Sequence, residues 1–313
     1  MQRQVELIGA AWGLGGADPG CADAPAALAP LLSARLAACG RAVLPGPILK
    51  PLGTERRKQV AVSRLCGLLG SAVADALRHG RLPCVLGGDH SCAGGTWAGV
   101  ARAIKETASE RRAGDSALGL VWVDAHMDSH TPRTSHTGRL HGMPLAWLLG
   151  QDDDPLYGLA TGVLRPENVC LVGVRSFEPE EDARLAALGV RVFRMADIET
   201  RGLDAVFADA LAIASARTAG FGVSIDLDVL DPGEAPGVGT PVTGGLSAPE
   251  LARVLERLAD MPAFLALEVV EYSPRLDADG ATAKAALALL CAALCGAQQE
   301  AQVFPHAVDR KDP

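Results

Sequence analysis

The chain has 313 residues and a net charge of −8, from 29 Lys and Arg against 37 Asp and Glu, and is 49% hydrophobic against 21% charged. That balance excludes a short peptide scaffold and a mainly disordered chain. The acidic excess, with no long basic stripe, argues against nucleic-acid and anionic-membrane partners, since both surfaces repel net negative charge.

Short runs rich in Val, Leu and Ile alternate with stretches of helical period, which predicts βα units around a parallel sheet, an α/β architecture. In chain order the first half reads strand Val5–Ile8, helix Ala24–Ala38, strand Ala42–Leu44, helix Glu55–Arg78, strand Pro83–Leu86, helix Gly94–Glu106, strand Leu118–Val123 and helix Met143–Leu149. The second half reads strand Val169–Val174, helix Pro179–Leu188, strand Val190–Phe193, helix Leu203–Ala216, strand Gly222–Ile225, helix Ala248–Ala259, strand Phe264–Val269 and helix Ala281–Ala293. Lys105–Ser116 and Gln151–Asn168 are polar interruptions that read as surface loops. No linker tract, repeat or low-complexity block divides the chain, so one domain over 1–313 is expected.

The N-terminus lacks the basic start and long apolar stretch of a secretory signal, which points to the cytoplasm. The apolar stretch Ala285 to Cys295, preceded by Lys284, is too short to cross a bilayer and reads as a buried helix. Eight cysteines without a secretory signal read as small core residues, not as a disulfide framework. Cys291 and Cys295, one helical turn apart, are expected to be packing positions.

Three polar clusters each follow an apolar strand, where an open parallel sheet places its site. Gly87-Gly88-Asp89-His90-Ser91 follows Cys84-Val85-Leu86, Asp124-Ala125-His126-Met127-Asp128 follows Leu120-Val121-Trp122-Val123, and Asp226-Leu227-Asp228 follows Gly222-Val223-Ser224-Ile225. If these segments are extended, Asp124, His126 and Asp128 share one face, as do Asp226 and Asp228. Carboxylates so gathered repel one another unless cations lie between them. With His90 they make two imidazoles and four carboxylates, more donors than one ion needs, and the mix of hard oxygens and borderline nitrogens suits Mn²⁺. A single Asp-x-Asp after a strand is usually a turn or cap; three such clusters in one chain are not explained by capping.

These motifs, with His141-Gly142-Met143-Pro144, Ser224 through Pro232, Ala235-Pro236-Gly237-Val238-Gly239-Thr240-Pro241 and Gly244-Gly245-Leu246, resemble the ureohydrolases, and within them most closely the arginases. The likeness runs from Val5 through Glu271-Tyr272-Ser273-Pro274. It implies a three-layer α/β/α fold with a central, mainly parallel sheet of about eight strands. It also implies two Mn²⁺ per subunit, one held by His90, Asp124, Asp128 and Asp226 and the other by His126, Asp124, Asp226 and Asp228, with a hydroxide between them as the nucleophile. By the same resemblance Glu271 orients the guanidinium, Asp128 passes a proton to the leaving amino group and His141 shuttles protons.

The resemblance further implies that Glu181 and Glu178 receive an α-ammonium, although Glu in a helix's first turn is favoured by the dipole alone. The loop from His130 to Arg139, with Ser135 and Thr137, is implied to receive an α-carboxylate, and Thr240 to line the substrate. Two positions depart from the arginase pattern: His130 and Arg139 stand where asparagine is common. The expected activity is hydrolysis of L-arginine to L-ornithine and urea, arginine being preferred over agmatine and over 4-guanidinobutyrate. The rivals are a hydrolase of agmatine or another guanidino acid, and a catalytically silent homologue, which fully occupied metal positions disfavour. The partner expected is a small guanidino substrate, and the assembly a homotrimer or homohexamer.

Overall fold

The computed structural model describes residues 2–54, 57–107, 116–151 and 160–297. Its elements are β1 Val5–Ala10, α1 Ala24–Ala38, β2 Val43–Leu49, α2 Lys58–Arg78, β3 Leu82–Leu86, α3 Ala93–Thr107, β4 Ala117–Val123 and α4 Pro144–Leu148. They continue with β5 Val169–Val174, α5 Pro179–Leu188, β6 Arg191–Arg194, α6 Met195–Arg201, α7 Leu203–Ser215, β7 Thr218–Asp226, α8 Ala248–Leu255, β8 Phe264–Val270 and α9 Ala281–Cys295.

The eight strands form one sheet in the order β2-β1-β3-β8-β7-β4-β5-β6, and every neighbouring pair is parallel. Such a sheet must be covered on both faces, which is why its strands read as continuous apolar runs. Leu28, Leu32 and Leu36 of α1, Val206 and Phe207 of α7, Leu251 of α8 and Leu290 of α9 fill one face. Val62 and Leu69 of α2, Trp97 of α3, Trp147 of α4 and Leu185 of α5 fill the other. The result is three layers, α/β/α.

Glycines set how near the helices come. A Cβ at Gly222 of β7 would lie 2.0 Å from Trp97 Cζ3 on α3, and one at Gly119 of β4 would lie 1.7 Å from the Ala214 carbonyl oxygen on α7. Helix α2 is long and apolar enough, by length and composition alone, to cross a membrane, and half of that stretch is buried within the fold. All eight cysteines are free, five of them buried, in keeping with core packing.

Strand and helix types follow the sequence reading, with four differences. β2 runs on through Pro45, Gly46 and Pro47, which an edge strand tolerates because one side of it needs no ladder donor. β7 begins four residues earlier than expected, at Thr218. Helix α6 was not expected; it is one short turn region directly after β6. The expected helix Ala248–Ala259 tightens into a 3₁₀ turn at Glu256–Asp260. The start of the expected helix at Glu55 lies outside the described residues, as do most of the expected loop Lys105–Ser116 and half of Gln151–Asn168; Lys105 to Thr107 belong to α3 and Pro166–Asn168 is a 3₁₀ turn.

Because Ala214 O belongs to a helix backbone, a methyl group at Gly119 has no flexible neighbour to push aside. Gly119→Ala is expected to lower stability by about 1–3 kcal/mol or more, read as a lower urea midpoint with an unchanged slope.

Candidate metal centre and active site

β3 and β4 follow each other in the chain but are separated in the sheet by β8 and β7, a switch point of the kind where open α/β sheets bind ligands. The register aligns the four strand ends. Leu86 pairs with Val269, Val269 with Ile225, and Ile225 with Val123. The segments that leave these strands therefore emerge side by side, and they carry His90, Asp124 to Asp128, Asp226, Asp228 and Glu271.

Two ligand groups result. His90 Nδ1 lies 2.9 Å from Asp128 Oδ2, 3.2 Å from Asp124 Oδ2 and 3.3 Å from Asp226 Oδ2. His126 Nδ1 lies 3.0 Å from Asp228 Oδ2 and 3.5 Å from Asp124 Oδ1. Asp124 thus serves both groups. His90 Nδ1 is buried with no hydrogen-bond partner, although three carboxylate oxygens converge on it. That orphaned nitrogen, presented to hard anionic oxygens, fits a divalent cation, and the six residues expected to ligate metal are the ones gathered here.

The local conformation differs from the expected one. Asp124 to Asp128 is a bend and not an extended segment, and Leu227–Val229 is a 3₁₀ turn. Alternation along a strand therefore does not unite the ligands. Bending does: Asp128 sits at φ 46 and Glu271 at φ 65, left-handed positions that cost energy in non-glycine residues and gather at functional sites. Each turn is closed by the ligands' own carboxylates. His126 N donates to Asp124 Oδ1 at 2.6 Å, and Asp228 N donates to Asp226 Oδ1 at 2.9 Å. Asp89 does the same for the His90 turn, accepting from Ser91 N at 3.0 Å and from Gly15 N at 2.9 Å.

Outer partners that the sequence reading did not single out hold the ligands in place. The His90 ring stacks on Trp122 with centroids 4.1 Å apart, and Trp122 Nε1 donates to Asp124 Oδ2 at 2.9 Å. His90 Nε2 lies 3.0 Å from Ser224 Oγ, which donates to Glu268 Oε2 at 2.7 Å. With Nε2 bearing the hydrogen, Nδ1 keeps its lone pair for a metal. Fully buried Glu268 accepts in addition from Thr96 Oγ1 at 2.5 Å and Trp97 Nε1 at 3.1 Å. A glutamate inside an apolar strand was the only signal of it in the sequence.

Burial and like charge govern the electrostatics. Burial, then the Asp228 and Asp124 charges, push Asp226 well above the usual carboxylate range. Burial and Asp124 raise Asp128 to about 6. Burial opposes a charged His141, but Glu271 outweighs it and raises the imidazole to about 9. The two meet at 2.9 Å between His141 Nδ1 and Glu271 Oε1; Glu271 Oε1 also accepts from His90 N at 2.9 Å, while Oε2 is buried without a partner.

The cleft above is lined by His126, Asp128, Asp226, Asp228 and His141 at one end and by His130, Ser135, Thr137, Arg139, Glu178, Glu181 and Thr240 around them. All the expected substrate residues line it. Glu271 is buried and does not, and His136 and Gly142, not expected, do. Thr240 Oγ1 donates to Asp228 Oδ2 at 2.9 Å. Arg139 is exposed and its guanidinium forms no ion pair among the described residues. Burial, and a proton shared with Glu178, raise Glu181 to about 8, while Glu178 is lowered.

A model of the arginase family matches residues 3–296. An arginase of Brevibacillus brevis is 42% identical over 71% of this chain and 72% of its own, and one of Bacillus caldovelox 40% identical over 77% and 81%. The crystal structure of arginase from Bacillus cereus superposes with a TM-score of 0.85 at 36% identity, covering 95% of this chain and 99% of that one.

If Asp226 holds metal, Asp226→Asn leaves a buried amide in the carboxylate's place and should cut metal content and activity together, by at least about a hundredfold in affinity. The exposed change Glu106→Gln at the end of α3 should alter neither. Metal analysis that finds two tightly held ions in an active Asp226→Asn variant would refute the assignment.

Proposed function

The chain belongs to the arginase family, hydrolases of the guanidino C–N bond, and from that premise we propose that it converts L-arginine to L-ornithine and urea with two Mn²⁺ ions bound per subunit. One observation carries the reading: six metal-type ligands converge at a cleft whose remaining lining offers two carboxylates and a guanidinium that has no ion pair among the described residues. His90, Asp124, Asp128 and Asp226 would hold one ion, and His126, Asp124, Asp226 and Asp228 the other. When bound, such a pair lowers the pKa of water and so supplies a nucleophile near neutral pH.

The chain's own groups do the rest. Glu271 is assigned the guanidinium by the family resemblance; its Oε2 has no partner, although the carboxylate lies behind His141 and does not line the cleft. Asp128, which lines the cleft beside the other metal-type ligands, would accept a proton and pass it to the leaving amino group. His141, which lines the cleft beside Glu271, would carry protons there. Glu181 and Glu178 receive the α-ammonium, and Ser135, Thr137 and Arg139 the α-carboxylate. Assembly as a homotrimer or homohexamer belongs to the same reading and would show as mass in light scattering.

Agmatine lacks the carboxylate and forgoes its contacts with Ser135, Thr137 and Arg139, so kcat/KM for agmatine should fall about tenfold below that for arginine. Arg139→Asn should raise the KM for arginine and narrow that gap; an unchanged KM would place Arg139 outside the site.

Removing the catalytic groups separates binding from proton transfer. Glu271→Gln should weaken productive binding, and His141→Asn should slow kcat, both with metal content intact. External imidazole should partly restore the His141 variant, and native turnover in that variant would end the shuttle role.

A further inference from the structure

The cleft holds a second cluster apart from the metal-type ligands. His130 Nε2 stands 3.0 Å from Glu178 Oε2 and 3.4 Å from Glu181 Oε2. An ionised carboxylate only accepts, and Glu178 makes the hydrogen bond to this nitrogen, so Nε2 bears the hydrogen that faces Glu178. Nδ1 lies 3.1 Å from Thr134 Oγ1, and His130 N donates to Gly142 O at 3.0 Å. The residue is 9% exposed and held at both ring nitrogens. Glu181 is fixed as well, accepting from Ser129 N at 3.0 Å and from Glu178 N at 3.2 Å. The chain therefore already provides a donor to each carboxylate assigned above to an α-ammonium.

A polar site rejects an analogue that lacks the recognised group chiefly because its own buried partner is then left unpaired. Here the partner is paired beforehand. We propose that His130 is a specificity-determining residue that makes the amine subsite tolerant, so that linear guanidino acids without an α-ammonium are substrates alongside arginine. The proposal rests on the reading that Glu178 and Glu181 form the ammonium site. Arginine adds its ammonium to the remaining carboxylate lone pairs, whereas a guanidino acid without one is bound with His130 as the donor. The expectation of a full penalty for losing the ammonium is thereby reversed, while the penalty for losing the carboxylate stands.

The probe is 5-guanidinopentanoate, which differs from L-arginine only by the α-ammonium. Urea release from both is measured on the Mn²⁺-loaded native protein and on His130→Asn, His130→Gln and Glu181→Gln, each checked for metal content. Native kcat/KM values for the two substrates should lie within about tenfold of each other. His130→Asn, too short to reach the carboxylates, should widen the ratio by at least about tenfold, through KM; His130→Gln, whose amide reaches as far as Nε2, should keep the native ratio. Calorimetric binding of L-ornithine and 5-aminopentanoate should show the same pattern without turnover. A native ratio beyond about tenfold, or a ratio unmoved by His130→Asn but shifted by Glu181→Gln, overturns the role of His130 and leaves the ammonium site standing. A ratio unmoved by Glu181→Gln as well overturns the ammonium site itself.

Discussion

Asp124, Asp128, Asp226 and Asp228 are crowded into one buried cluster, and four carboxylates in a medium of low dielectric repel one another strongly. The rest of the molecule answers to that repulsion. Two imidazoles stand among the oxygens, backbone N–H groups of the same turns donate to them, and Trp122 adds a further donor to Asp124. The backbone and indole donors soften the repulsion without neutralising it, so the cluster is suited to dications and is a poor structural core.

Placing such a cluster demands a rigid support. The central strands β3, β8, β7 and β4 are buried on both faces, pressed by α3 and α7 at glycine positions that admit no side chain. Left-handed backbone at non-glycine residues falls at Asp128 and Glu271 in the loops above them, and at Arg217 just before β7. Beneath, the chain from His90 through Ser224 to Glu268 fixes the tautomer of a ligand through groups that never touch the cleft. The energetic cost of burying Glu268 is offset by its donors, and its return is a pre-set lone pair.

The polar groups in and beneath the cleft fall into two clusters. Asp128, His141 and Glu271 form one linked set of titrating groups, in which Glu271 raises the imidazole and is itself held below its ordinary value by it, against burial. Glu178, Glu181 and His130 form a second, hydrogen-bonded cluster at the start of α5, which Pro179 opens and Gly189 closes at φ 76. His130 in this second cluster is one of the two positions at which the chain departs from the arginase pattern, Arg139 being the other.

Local information was enough for much of this. Apolar runs of strand length, helical periods and turn residues act over a few neighbours, so element types and most boundaries were legible, as were the three acidic motifs and their ligand chemistry. Short-range rules gave the wrong reason for the ligands' convergence, because alternation along Asp124 to Asp128 was expected where a bend exists. Only the tertiary structure decided which strands are neighbours. Parallel pairing is made through crossovers, and nothing within β3 or β4 says that β7 and β8, formed much later in the chain, will lie between them. For the same reason Glu268 gave little sign of its place beneath His90. His130 read as a departure from a pattern, and its contact with Glu178, 48 residues away, became visible only in the fold, because a hydrogen bond between distant segments leaves no periodic trace in either one.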